Sequence, residues 1–239
     1  MKKSAAYQPE QSKQVLPSAF ALFRPSWQGV RLNLVTILEL TLLPMLVNAA
    51  VFLLLRRPGE ASFMDIYVLK PDQLNLGVGY FASLAATGLM TLLLAPAVTL
   101  IYLQSVKGKK IGLWAAFKTS LSFWWRYIGL TIVMGLAILG GFILLVIPGL
   151  FILQRYFLAG YFMVDQNLGI KASLKASWQA TKQYSGSVWS LLAVLLLISL
   201  LSSLAGSSYL AEILGEIILV VYACAPATRY LQIKTALKN

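Results

Sequence analysis

Between Arg126 and Arg155 the chain reads Tyr127-IGLTIVMGLAILGGFILLVIPGLFIL-Gln154, 28 residues without a Lys, Arg, Asp or Glu. A transmembrane helix needs about 20 mostly apolar residues to cross roughly 30 Å of hydrocarbon. As one helix the run from Tyr127 to Val164 would be about 57 Å long, nearly twice that thickness. Ile147-Pro148-Gly149 supplies a break, because Pro removes a backbone donor and Gly relaxes a turn. The stretch therefore reads as two membrane helices, Tyr127–Val146 and Leu150–Val164, joined by a tight hairpin at Pro148 and Gly149.

Two further charge-free gaps run from Asp72 to Lys107 and from Lys182 to Glu212. With the apolar segment after Arg31 they place helices at Leu34–Leu55, Leu76–Gln104, Val188–Leu204 and Ala211–Leu231. The predicted fold is an all-α integral membrane protein of about six transmembrane helices. The composition agrees: 59% of the 239 residues are apolar and 12% charged, against about 45–50% and 25% in soluble domains. Residues 1–16, with Pro9 and scattered Lys and Gln, read as a disordered tail ahead of one membrane domain over 17–235. They are too polar for a cleavable leader.

Twenty Lys and Arg stand against eight Asp and Glu. Sixteen of the twenty fall at one set of span ends: Lys2, Lys3, Lys13, Arg24 and Arg31; Lys107, Lys109, Lys110, Lys118 and Arg126; Lys171, Lys175 and Lys182; Arg229, Lys234 and Lys238. The opposite ends hold Arg56, Arg57 and Lys70, diluted by Glu60, Asp65 and Asp72. Basic loops stay in the cytoplasm, so both termini are expected there. The +12 charge is then a matter of topology, and nucleic acid is not an expected partner.

Three segments resemble one another: Phe23-Arg-Pro-Ser-Trp-Gln28, Phe117-Lys-Thr-Ser-Leu-Ser122 and Leu174-Lys-Ala-Ser-Trp-Gln179. Tyr127-Ile-Gly129 and Tyr184-Ser-Gly186 each follow nine residues after the Lys of their copy. Ala95-Pro-Ala97 with Tyr102-Leu-Gln104 is matched by Ala225-Pro-Ala227 with Tyr230-Leu-Gln232. The repeat expected from these strings is an interfacial helix followed by a membrane hairpin, over 17–110, 111–168 and 169–235. Trp114, Phe117, Leu121, Trp124 and Ile128 share one face of a helix over 111–128, opposite Lys118, Ser122 and Arg126. Likewise Ile170, Leu174 and Trp178 oppose Lys171, Lys175, Gln179 and Lys182. Such faces lie in the headgroup plane, where Lys118, Arg126, Lys171, Lys175 and Lys182 serve anchoring or recruit anionic lipid.

Ile147-Pro-Gly149, Arg155-Tyr156, Asp165, Ala172-Ser-Leu-Lys175-Ala-Ser177 and Gly186 together resemble a loose group of prokaryotic multi-pass proteins of unknown function. The group takes in YciC-like inner-membrane proteins and the membrane domain attached to some glycerophosphodiester phosphodiesterases. The resemblance covers about residues 105–235 and implies a bacterial or archaeal plasma-membrane protein. No hydrolase activity carries over, because the catalytic domain of those phosphodiesterases has no counterpart here.

The chain has no His and one Cys, Cys224, which excludes His-based catalysis, disulfides and the common zinc sites within one chain. No cofactor or metal is implied, no phosphate-cradling glycine loop is present, and the chain reads as non-catalytic. Ionisable residues within spans are the remaining candidates: Arg155, Glu216 and Glu39. The helical rise puts Arg155 about 9 Å and Glu216 about 8 Å below the outer edge, suited to an ion pair, with Glu39 about 10 Å from the inner face. Unknown protein partners fit a scaffold or accessory subunit. The alternative is a small transporter with a polar cavity lined by Glu39, Asn48 and Arg155 among helices kinked at Pro44, Pro96 and Pro226.

Overall fold

The computed structural model describes residues 16–55, 77–204 and 209–237, and among them every regular element is helical. The tail over 1–15, the stretch holding Arg56, Arg57 and Lys70, and the side chain of Glu216 lie outside the described residues. After a single 3-10 turn at Phe20–Leu22, the order is α1 (Phe23–Leu32), α2 (Leu34–Leu55), α3 (Val78–Val106), α4 (Leu113–Ser120), α5 (Trp124–Leu144), α6 (Val146–Tyr156), α7 (Ala159–Gln166), α8 (Ile170–Gln183), α9 (Ser185–Leu204), α10 (Tyr209–Tyr222) and α11 (Ala225–Ala236). Among the described residues four stretches are long and apolar enough to cross a membrane: α2, α3, α5 and the run Val146–Gln166. A fifth is reached if α8 and α9 as far as Leu201, bent by 97° to each other, count as one.

The expected break after Val146 is present but falls earlier. Leu145 is extended (φ −167°, ψ 155°), reversing the chain between α5 and α6. Pro148 sits inside the first turn of α6, where backbone N–H groups have no intrahelical acceptor and a missing donor costs nothing. Gly149 matters through packing. A Cβ on Gly141 would lie 2.8 Å from the Gly149 Cα, so the two helices meet backbone to backbone only because both residues are Gly. Gly135 and Gly140 face open space and contribute nothing to that contact.

Other breaks depart from the expected helices. The helix expected over 111–128 is two, bent at Leu121–Phe123. There Ser120 and Ser122 donate back to the carbonyls of Phe117 and Thr119, bonds that compete with the helical ladder. Trp114 and Trp125 are consequently left outward, 74% and 78% exposed. The fourth predicted span divides at Phe157-Leu158, and the sixth at Ala223-Cys224, just ahead of Pro226. Pro44 and Pro96 lie inside unbroken helices.

A short helix precedes two long elements three times over: α1 before α2 and α3, α4 before α5 and α6–α7, α8 before α9 and α10–α11. Each short helix docks on the last element of another third: α4 on α3, α8 on α6 and α7, α1 on α10 and α11. Ser26, Ser120 and Ser177, the equivalent serines of the three similar segments, are all fully buried. Ser26 donates to the Val221 carbonyl in the last turn of α10 (2.9 Å), and Ser177 to the Arg155 carbonyl in the last turn of α6 (2.7 Å). Both acceptors precede a helix break, where a carbonyl loses its ladder partner and a hydroxyl replaces it.

Candidate functional site

The last elements of the three thirds, α3, α7 and α11, converge at the end of the bundle that carries the basic residues. Each brings a tyrosine and, four or five residues on, a charge: Tyr102 and Lys107, Tyr161 and Asp165, Tyr230 and Lys234. Asp165 is the hub. Its carboxylate is 4% exposed and pairs through one oxygen with Lys107 and through the other with Lys234. The Tyr230 hydroxyl donates to the same carboxylate at 2.7 Å and accepts from the Gln166 amide at 3.4 Å. Tyr161 stacks on Tyr230 with ring centroids 5.8 Å apart. Two ammonium groups around one carboxylate leave the cluster one charge positive, with the lysines about a third exposed.

Around the hub the polar groups serve joints between helices. Asn33 donates to the Ser105 hydroxyl (2.8 Å) and the Lys109 carbonyl (3.0 Å), and accepts from the Ile111 amide (2.9 Å). Those bonds fix the loop between α3 and α4 against the start of α2. Arg229, fully buried, donates to the Pro17 carbonyl (3.0 Å) and the Gln232 side chain (3.1 Å). Tyr127 shares a hydrogen bond with Thr99 at 2.7 Å, and Arg126 donates to Asn167 at 2.7 Å. Asn167 holds a left-handed conformation (φ 51°) after α7, a position that asparagine tolerates.

Of the ionisable candidates, Arg155 and Glu39 are not brought together, and the Glu216 side chain lies outside the described residues. The Arg155 guanidinium is buried over the Phe151 ring (4.5 Å) and beside Trp178 (5.5 Å), a cation–π arrangement. No carboxylate pairs with it among the described residues. Glu39 is exposed on the outward face of α2. Asn48, one helix turn pair further along, donates to the Thr87 hydroxyl of α3 at 2.7 Å. Lys118, Lys171, Lys175 and Lys182 are exposed, and Arg126 half-buried.

On α8 the buried stripe is Ser173, Ser177, Ala180 and Thr181, not the bulkier Ile170, Leu174 and Trp178 face. Small residues at steps of three and four let α8 approach α6 closely, and Thr181 adds a second bond to the Arg155 carbonyl at 3.2 Å. Two cavities border this end of the molecule. One of about 370 Å³ lies between Pro17, Val106, Thr228, Gln232 and Thr235; the other, about 330 Å³, has Arg31 and Lys110 in its wall. Among the described residues no group of three metal-ligating side chains occurs.

Comparison with known proteins finds no matching protein family, no matching curated protein and no matching solved structure.

Proposed function

We propose that this chain is a non-catalytic multi-pass protein of a bacterial or archaeal plasma membrane, acting as an envelope-associated scaffold or accessory subunit. Six spans are assigned to α2, α3, α5, α6–α7, α9 and α10–α11, with both termini cytoplasmic and α1, α4 and α8 at the inner interface. The three-fold element order and the cyclic docking of α1, α4 and α8 support reading the chain as three copies of one interfacial helix and a hairpin. The basic bias of the span ends supports the orientation. The resemblance to YciC-like proteins supports the plasma membrane as location.

One observation carries the choice of a scaffold over a permease: the polar and charged groups are spent on joining helices. Asp165 ties three helix ends together, Asn48 of α2 is engaged by Thr87 of α3, Arg155 of α6 lies beside Trp178 of α8, and Glu39 is exposed, so among the described residues these groups are engaged separately. A solute path needs convergent polar groups. Purification in mild detergent tests this, with a stoichiometric protein partner as the expected result. Solute-specific flux in proteoliposomes holding the chain alone would instead establish the permease reading.

A further inference from the structure

The 330 Å³ cavity lies where α1 passes into α2, with Arg31, Asn33, Val35, Thr36, Lys110 and Gly112 among its walls. Both cations are exposed and no carboxylate lines it. Its shape is held from behind: Asn33 fixes the loop by three hydrogen bonds, and Thr36 donates to the Ile111 carbonyl at 3.1 Å. Asn33 stands nine residues after Arg24, the place that Tyr127 holds after Lys118 and Tyr184 after Lys175. The first third therefore has a short amide at a position where the other two carry a phenol ring.

Three features make this pocket attractive to an anion at a membrane surface. Arg31 and Lys110 supply the charge. Gly112, at the start of α4, offers no side chain to cap that helix, so its first N–H groups and positive dipole end add to the field beside the cations. On the other side the wall continues into outward apolar residues of α2, Val35 (70% exposed), Leu38 (41%) and Leu42 (50%), a track for acyl chains. Glu39, the one acid on α2, is exposed on the same face about two turns beyond Arg31 and does not line the cavity.

We infer that this cavity holds the phosphate of an anionic phospholipid, with Arg31 and Lys110 on the headgroup and the α2 track along a chain. The inference rests on the membrane reading proposed above. A soluble phosphate would use the cations but has no use for the apolar track.

The test is native mass spectrometry of the full chain released from micelles containing equal phosphatidylglycerol and phosphatidylcholine. The wild type is expected to retain phosphatidylglycerol selectively. Arg31→Gln with Lys110→Gln lowers that retention about ten-fold or more, since each cation near a lipid surface contributes on the order of 1 kcal/mol. Arg31→Lys with Lys110→Arg, which keeps both charges, retains it, and so does Arg24→Gln, which removes an exposed charge elsewhere on α1. Equal retention by the Gln pair at 31 and 110, or an equal loss from Arg24→Gln, overturns the site. Displacement of the lipid by inorganic phosphate overturns the lipid as ligand in favour of the free ion. The membrane reading fails separately, if alkaline carbonate extracts the chain from membranes whatever lipid it holds.

Discussion

The two ends of this helical bundle are built differently. At the basic end α3, α7 and α11 meet in buried side chains and a bidentate ion cluster, and the buried Ser26, Asn33, Thr36 and Arg229 each bond across a joint. At the other end Ile143, Leu144, Leu145, Val146 and Ile147 form a hairpin tip 63–85% exposed with no polar side chain among them. The core follows the same gradient: α2 buries Thr36, Ile37 and Leu40 near its start and only Phe52 later. In hydrocarbon an apolar tip loses nothing by exposure, and apolar association between helices gains no hydrophobic free energy. Cohesion then has to come from hydrogen bonds, ion pairs and close backbone approach, and the chain concentrates these at one end.

Substitutions that remove one joint at each end measure that contrast. Asp165→Asn leaves two ammonium groups facing an amide; with both lysines about a third exposed, the loss is that of charge-assisted hydrogen bonds, about 2–3 kcal/mol. Unfolding in detergent followed by circular dichroism should show the largest fall here. Next, Gly141→Val drives side-chain carbons into the Gly149 backbone and should cost about 1–3 kcal/mol by overpacking. Gly140→Ala, one residue away in open space, should be neutral or stabilising by up to about 1 kcal/mol through helix propensity. A similar loss from both would mean that the hairpin is not held by the Gly141–Gly149 contact.

Ser177→Ala removes one of the two hydroxyls on the Arg155 carbonyl, with Thr181 remaining, for an expected loss of about 1 kcal/mol. The smallest effect belongs to Asn48→Ala, far from the hub. An interhelical hydrogen bond within a membrane averages about 0.6 kcal/mol. If Asn48→Ala matched Asp165→Asn in cost, cohesion would be uniform along the bundle and the contrast between its ends would be lost.

Most of the helix placement was legible in the residues. Long apolar runs, free of charge for α3 and α5 and broken only by Glu39 in α2, located α2 to the residue and α3 and α5 within three. Apart from the one near Pro148, the breaks were not legible from composition. Those at Leu121–Phe123 and Phe157-Leu158 contain no Pro or Gly: the first goes with Ser120 and Ser122 bonding back to their own turn, the second with tertiary donors, the hydroxyls of Ser177 and Thr181 on the Arg155 carbonyl.

The hub was missed for a related reason. Charges inside spans drew attention to Arg155, Glu39 and Glu216, whereas Asp165, Lys107 and Lys234 sit at helix ends where a solvated charge needs no explanation. A signal did exist: Tyr161-Phe-Met-Val-Asp165 and Tyr230-Leu-Gln-Ile-Lys234 carry opposite charges one turn after a tyrosine at matching span ends. In α8 Trp178 and Leu174 make the more apolar face, while the Ser173, Ser177 and Thr181 stripe is the buried one. Small polar residues at helical spacing are the better sign of a contact face where lipid is as apolar as leucine.

The claim that the three thirds are locked at the basic end is tested most directly by a double-mutant cycle on Asp165→Asn and Lys234→Met, read as unfolding free energy in detergent. The account predicts a coupling toward the upper part of the ~0.5–3 kcal/mol range found for residues in one ion-pair network. Strict additivity of the two substitutions would contradict it.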